Sequence, residues 1–108
     1  MPNTSRRAQL EQMLRENPGD DFLEYGLAVE FLNEGKIDEG VGRFKRIIER
    51  SPDYCAAYFR AGQALAAAER PSEARAMLES GIAAAQRAGN AHAAAEMQDA
   101  LSELPPQR

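Results

Sequence analysis

Residues 21–54 read DFLEYGLAVEFLNEGKIDEGVGRFKRIIERSPDY, and residues 55–88, laid beneath them without a gap, read CAAYFRAGQALAAAERPSEARAMLESGIAAAQRA. The two segments keep one phase. Tyr25 falls over Phe59, Ala28 over Gly62, Phe31 over Leu65, Gly40 over Ala74, Phe44 over Leu78 and Ile48 over Ile82. The phase also runs backwards, because Leu10, Leu14 and Pro18 stand 34 residues before Phe44, Ile48 and Pro52. A fixed period in which large, small and chain-breaking residues all recur marks a stacked-repeat architecture. A helical bundle without repeats is the competing architecture, and it has no reason to hold such a period.

Breaks at Asn17-Pro18-Gly19-Asp20, Glu34-Gly35-Lys36, Ser51-Pro52-Asp53, Glu69-Arg70-Pro71 and Gly89-Asn90 divide the chain into segments of helical length. Gly tolerates the left-handed end of a helix, Pro lacks an N–H, and Asp or Asn just beyond caps the next helix. The segments are rich in Ala, Leu, Glu and Arg and poor in β-branched residues, so propensity favours helix over strand. The spacing predicts six helices, at about 5–17, 21–34, 37–50, 54–68, 71–87 and 90–103. Leu10, Met13 and Leu14, then Val41, Phe44, Ile47 and Ile48, then Met97, Leu101 and Leu104 form one-sided apolar stripes. Turns of a few residues force neighbours to pack side by side, so the fold class is all-α, built from antiparallel helix-turn-helix units.

Finer signals accompany this reading. Asp21 with Glu24 has the spacing of a capping box, and Pro71 suits a first helical turn. Glu11 with Arg15 and Glu39 with Arg43 are spaced as surface ion pairs along one helix. Pro105 and Pro106 end regular helix, which leaves Gln107 and Arg108 as a frayed tail.

The residues in this phase resemble the tetratricopeptide repeat, a helix-turn-helix unit of the same length. In that family small residues stand where the two helices cross most closely, and this chain has Ala28 with Gly40, then Gly62 with Ala74. Large apolar residues follow the family pattern at Leu27, Phe31, Phe44, Leu65 and Leu78, and Pro52 closes the first unit. The resemblance divides a single domain, 1–108, into an N-terminal flanking helix (5–17), repeat 1 (21–54), repeat 2 (55–88), a C-terminal capping helix (89–104) and a tail (105–108). The cap looks like the first helix of a third unit, and Pro105 stands in phase with Pro71, where that unit's second helix would begin. It would cover an apolar face that the last repeat otherwise leaves in water. Three departures stand out: Gln86 in place of Pro52, Gly81 in place of Ile47, and Glu69 in place of Gly35. The last two imply looser packing and a looser turn in the second unit.

The resemblance also implies a function. In the family the first helix of each unit lines a concave surface on which peptides dock, which maps here to Tyr25, Val29, Leu32 and Asn33, then Phe59, Arg60 and Gln63. Met97 would complete the wall. Such a face offers aromatic area with a few polar groups, suited to a protein or peptide partner. A second copy of the chain on the same face, giving a homodimer, is the alternative. A subclass of the family clamps a terminal carboxylate with Lys and Asn, but Tyr25 and Val29 occupy those positions here, and only Arg60 keeps a matching charge.

Other classes find little support. Thirteen basic against seventeen acidic residues give a net charge of -4, which offers no field for nucleic acid or anionic lipid. No apolar run approaches the roughly 20 residues of a membrane span, and the first residues contain no apolar signal region, so a soluble cytoplasmic protein is expected. Cys55 is the single cysteine and His92 the single histidine, each set among alanines. No nucleophile–base pair, metal-ligand set or phosphate-cradling loop can be assembled around them, so neither catalysis nor a cofactor is expected.

Overall fold

The computed structural model describes residues 5–106, and the frayed tail expected at Gln107 and Arg108 lies outside the described residues. Six helices follow in order: α1 Arg6–Glu16, α2 Asp21–Asn33, α3 Ile37–Arg50, α4 Cys55–Ala67, α5 Pro71–Arg87 and α6 Ala91–Ser102. Each boundary falls within one residue of the expected one, because the breaks are hydrogen-bonded caps. Ser5, Asp20 and Asn90 accept from the backbone N–H groups of Ala8, Leu23 and Ala93, and Pro71 opens α5. The α2 cap is therefore Asp20, one residue before the expected Asp21. That residue is freed to accept hydrogen bonds from Arg50 and Ser51 across the hairpin.

Three helices end in one motif. Gly35 and Lys36 donate to Leu32 and Phe31 at 2.9 Å each, Glu69 and Arg70 donate to Ala66 and Leu65 at 3.1 and 2.9 Å, and Gly89 and Asn90 donate to Gln86 and Ala85 at 3.2 and 2.8 Å. This pair of bonds needs a left-handed residue at the turn. Gly35 and Gly89 supply it at φ 78° and 69°, but Glu69 is forced to φ 60° with a side chain attached. The second turn is thus as tight as its neighbours and carries strain, which corrects the expectation of a looser one.

Each helix packs on the one before it and the one after it, and α4 also touches α6. The stack extends over 50 × 29 × 19 Å. Its core comes in linked clusters: Leu10, Leu23, Leu27 and Phe31 at the α1 end, Ala28, Phe44, Ile47, Ala57 and Ala61 in the middle, and Tyr58, Leu78, Ala84, Ala85, Ala94 and Met97 toward α6. At the α2–α3 crossing a Cβ on Gly40 would lie 2.6 Å from Leu32 Cδ2 and 3.0 Å from the Ala28 carbonyl oxygen. In the next hairpin Gly62 is met by Leu78, where a Cβ would be 2.6 Å from its Cδ2. Ala74, on α5, is fully buried and packs with Val41 and Leu65.

Gly81 does not loosen the second unit. A Cβ there would lie 2.6 Å from Tyr58 Cβ and would also meet the Met97 sulfur, because those two side chains already fill the space that Ile47 fills one unit earlier. Met97 is consequently 0% exposed, a core residue and not part of a concave wall. The intrahelical pairs also rearrange. Glu11 pairs with Arg7 at 3.2 Å, and Arg43 reaches the buried Glu24 at 3.0 Å instead of Glu39. A carboxylate that is 3% exposed attracts the guanidinium more strongly than a solvated neighbour on the same helix.

Replacing Glu69 by Gly should raise stability, since a left-handed L-residue costs roughly 1–2 kcal/mol, part of which the more flexible unfolded glycine offsets. Urea unfolding followed by circular dichroism should show a higher midpoint for Glu69→Gly, and an unchanged or lower midpoint would show that the turn is not strained.

Candidate functional site

On α4 the side chains at Gly62, Ala66 and Ala67 are absent or small, and Ala100 faces them from α6. Two helices held one repeat apart with so little between them leave an open groove of about 610 Å³, within the range of ligand sites. Buried Leu78 lies beneath its floor beside Gly62, while Phe59 and Gln63 of α4 and Leu104, just past α6, complete its lining. Leu104 is held in by packing near Leu65 and Ala74, and the neighbouring Pro105 carbonyl accepts a hydrogen bond from Arg75 Nη2 at 2.8 Å. The remaining lining residues are Glu96, Asp99 and Glu103 of α6, all exposed.

Of the residues expected on the concave surface, the structure brings Phe59 and Gln63 together in this groove. Phe59 is half-buried against the Tyr58–Met97 cluster and Gln63 is exposed. Arg60, their neighbour on α4, is half-buried outside the groove lining and makes no ion pair among the described residues. The α2 residues lie elsewhere. Tyr25 packs edge-on against Phe44, with ring centroids 5.2 Å apart, and lies 6.1 Å from the Tyr54 ring. Val29 and Leu32 pack on the same core cluster, and Leu32 also fills the space over Gly40. Exposed Asn33 donates to Glu30 Oε2 at 3.3 Å.

Two features escaped the sequence reading. Glu96, Asp99 and Glu103 follow an i, i+3, i+7 spacing that puts them on one face of α6, a signal present in the sequence but outside the two repeat units. Phe22, in the first turn of α2, is 79% exposed, and its i, i+7 relation to Val29 sets both on one side of that helix.

A family model for the tetratricopeptide repeat matches residues 31–98. A TPR repeat-containing protein of Pseudomonas aeruginosa is 32% identical over 95 residues, covering 88% of this chain and 90% of the relative. The chain belongs to the tetratricopeptide repeat family. Among solved structures, a tetratricopeptide repeat domain protein of Salinibacter ruber superposes with a TM-score of 0.73 at 29% identity, covering 80% of this chain and 87% of that one. A Bordetella parapertussis protein does so with a TM-score of 0.77 at 26% identity, covering 91% and 85%. The fold is one of protein–protein interaction modules, and family members are typically non-enzymatic scaffolds. Among the described residues no helix is long and apolar enough to cross a membrane.

A second cleft of this TPR domain, about 370 Å³, lies between α1, α2 and α3 and is lined by Arg15, Arg43, Arg46 and Arg50. Two of the four are already answered. Glu24 takes Arg43 at 3.0 Å and Arg50 at 3.4 Å, and Asp21 takes Arg50 at 2.9 Å and the Ser51 hydroxyl. Arg43 also stacks over Phe31, 5.8 Å from the ring centroid, with Arg7 over the same ring at 5.1 Å. This network fastens α2 to α3. The Ser51 hydroxyl, and after it the Arg50 guanidinium, hold the Asp21 carboxyl below the usual carboxylate range, against the opposing effect of burial.

A carboxyl whose folded pKa is depressed contributes stability at pH values above its unfolded pKa, and that contribution is lost as pH falls through the folded value. Ser51→Ala should therefore lower the melting temperature at neutral pH, with the deficit shrinking once pH drops below about 4. Thermal circular dichroism at neutral and acid pH checks this; a deficit independent of pH would mean that Ser51 acts by packing and not through Asp21.

Proposed function

We propose that this chain is a non-enzymatic interaction module that binds a peptide or protein segment on the concave side of its TPR helices, with the groove between α4 and α6 as the principal seat. The observation that carries this reading is the groove itself: half-buried Phe59 and exposed Gln63 stand together beside a floor of Leu78, in a space the chain does not fill. The half-buried apolar area of Phe59 and Leu104 supplies affinity and the polar edge supplies orientation. Tyr25, Val29, Leu32, Asn33 and Arg60 would extend the same surface along the stack, with the α2 aromatic acting as a packed support. The non-catalytic part of the reading is supported by the setting of the two reactive side chains. His92 is 85% exposed on α6 with only Glu96 nearby at 3.5 Å, and the Cys55 sulfur lies 3.5 Å from the Asp53 carbonyl.

A photo-crosslinking residue at position 67, in the groove, should capture a partner from a lysate that the same residue at position 79, on the exposed side of α5, does not. Equal capture from both positions, or capture from position 79 alone, would move the binding surface off the groove.

A homo-oligomeric subunit using the same face is the second reading, favoured by Phe22 at 79% and Met13 at 46% exposure, two large apolar side chains without cover near the N-terminal end. Light scattering over a range of concentrations should give a constant monomer mass if the module binds other proteins. A dimer mass that Phe22→Ser reduces to monomer would instead establish self-assembly.

A further inference from the structure

We infer that the α4–α6 groove takes a basic segment of its partner, with an apolar side chain seated on Phe59 and Leu104 and lysine or arginine side chains reaching Glu96, Asp99 and Glu103. This rests on the proposed binding role of the groove and adds the chemistry of its occupant.

Several acidic side chains elsewhere are held by arginines, as Glu24 is by Arg43 and Arg50, Glu34 by Arg7, Asp38 and Glu73 by Arg70, and Asp53 by Arg87. The groove gathers three acidic side chains that no arginine holds. Among the described residues Asp99 and Glu103 have no ion pair, Glu96 has only His92, and no cationic residue lines the space. Asp99 and Glu103 also stand at the wrong end of their helix. The C-terminus of a helix carries the negative pole of the backbone dipole, where a cation is favoured and a carboxylate is penalised. Helices α1, α3 and α5 place Arg15, Arg50 and Arg87 in their last turns; α2, α4 and α6 have no basic residue there, and Glu103 is the C-cap of α6.

Like charges three or four residues apart lower helix stability further. The α6 end thus holds three carboxylates and a dipole terminus that all favour one kind of neighbour, a cation supplied from outside, across an apolar floor. A second copy docked symmetrically over the groove would bring the same carboxylates face to face, which the geometry of a two-fold interface penalises.

The test selects a phage-displayed library of random dodecapeptides on the full-length chain. Three forms are then compared: the native chain, the triple variant Glu96→Gln, Asp99→Asn, Glu103→Gln, and the groove-filling Ala67→Trp, each with native helical circular dichroism. The expected result is enrichment of peptides that carry net positive charge and a large apolar residue, lose binding to Ala67→Trp, and bind the triple variant about tenfold more weakly. Their affinity for the native chain should also fall at high salt, a readout that stands even if the triple variant does not fold. Enriched peptides that are neutral or acidic yet lose binding to Ala67→Trp would overturn the basic occupant while leaving the groove as the binding site. Peptides that bind Ala67→Trp as well as the native chain, or no enrichment at all, would overturn both.

Discussion

A side chain lodged against a glycine sets the helix crossings on which the stack depends. Leu32 lies over Gly40, Leu78 over Gly62, and Tyr58 with Met97 over Gly81; at each a Cβ would come closer than van der Waals contact, and at Gly40 and Gly81 it would meet the Ala28 carbonyl oxygen and Tyr58 Cβ, atoms that cannot easily retreat. Protein interiors are packed too densely to absorb an added carbon without moving a neighbour. Each crossing therefore fixes the distance between two helices, and in a structure where elements touch only their neighbours, those local distances are all that define the global shape. The glycines are in this sense the most specified residues in the chain, although they contribute almost no buried area themselves.

The groove is a consequence of the same arrangement. Once Leu78 sits against Gly62, the adjoining face of α4 has only Ala66 and Ala67 to offer, and α6 is held at a distance that these small side chains do not span. A chain selected only for stability would fill that gap with a larger apolar residue and end α6 on a lysine or arginine. Here the gap stays open and the helix ends on acids, so two local rules are broken within one site. Sequences that are otherwise consistent across levels tend to break such rules where a surface has work to do.

The period and the punctuation made the fold legible from the sequence, because helix caps and left-handed turns are local features that a short stretch of residues determines. The placement of single side chains was less legible, for a reason visible in α5. That helix runs over 17 residues where α3 runs over 14, so the chain enters α6 with its faces displaced from the period kept by the first two units. Met97 accordingly turns into the core, and Glu96, Asp99 and Glu103 turn into the groove. Tyr25 looked like a groove aromatic because its position along the repeat equals that of Phe59. What differs is the surroundings, since Tyr25 has the Phe44 and Tyr54 rings to pack on and Phe59 borders a line of small residues.

Charge is handled differently at the two ends of the stack, and this separates holding from recognising. Near α1 to α3, Arg43 and Arg50 face a deeply buried Glu24 and a hydrogen-bonded Asp21, so their charge is consumed internally in fastening one helix to the next. A buried carboxylate such as Glu24 cannot lose its arginines without being left unpaired, so that pairing is poorly suited to exchange for an external partner. Near α6 the carboxylates are solvated and lack an arginine partner among the described residues, so nothing internal must be displaced when a cation arrives. Because repeats interact only with their neighbours, the acidic end can be altered by substitution without disturbing the network at the other. Recognition chemistry can therefore change along such a stack while the glycine crossings keep its geometry.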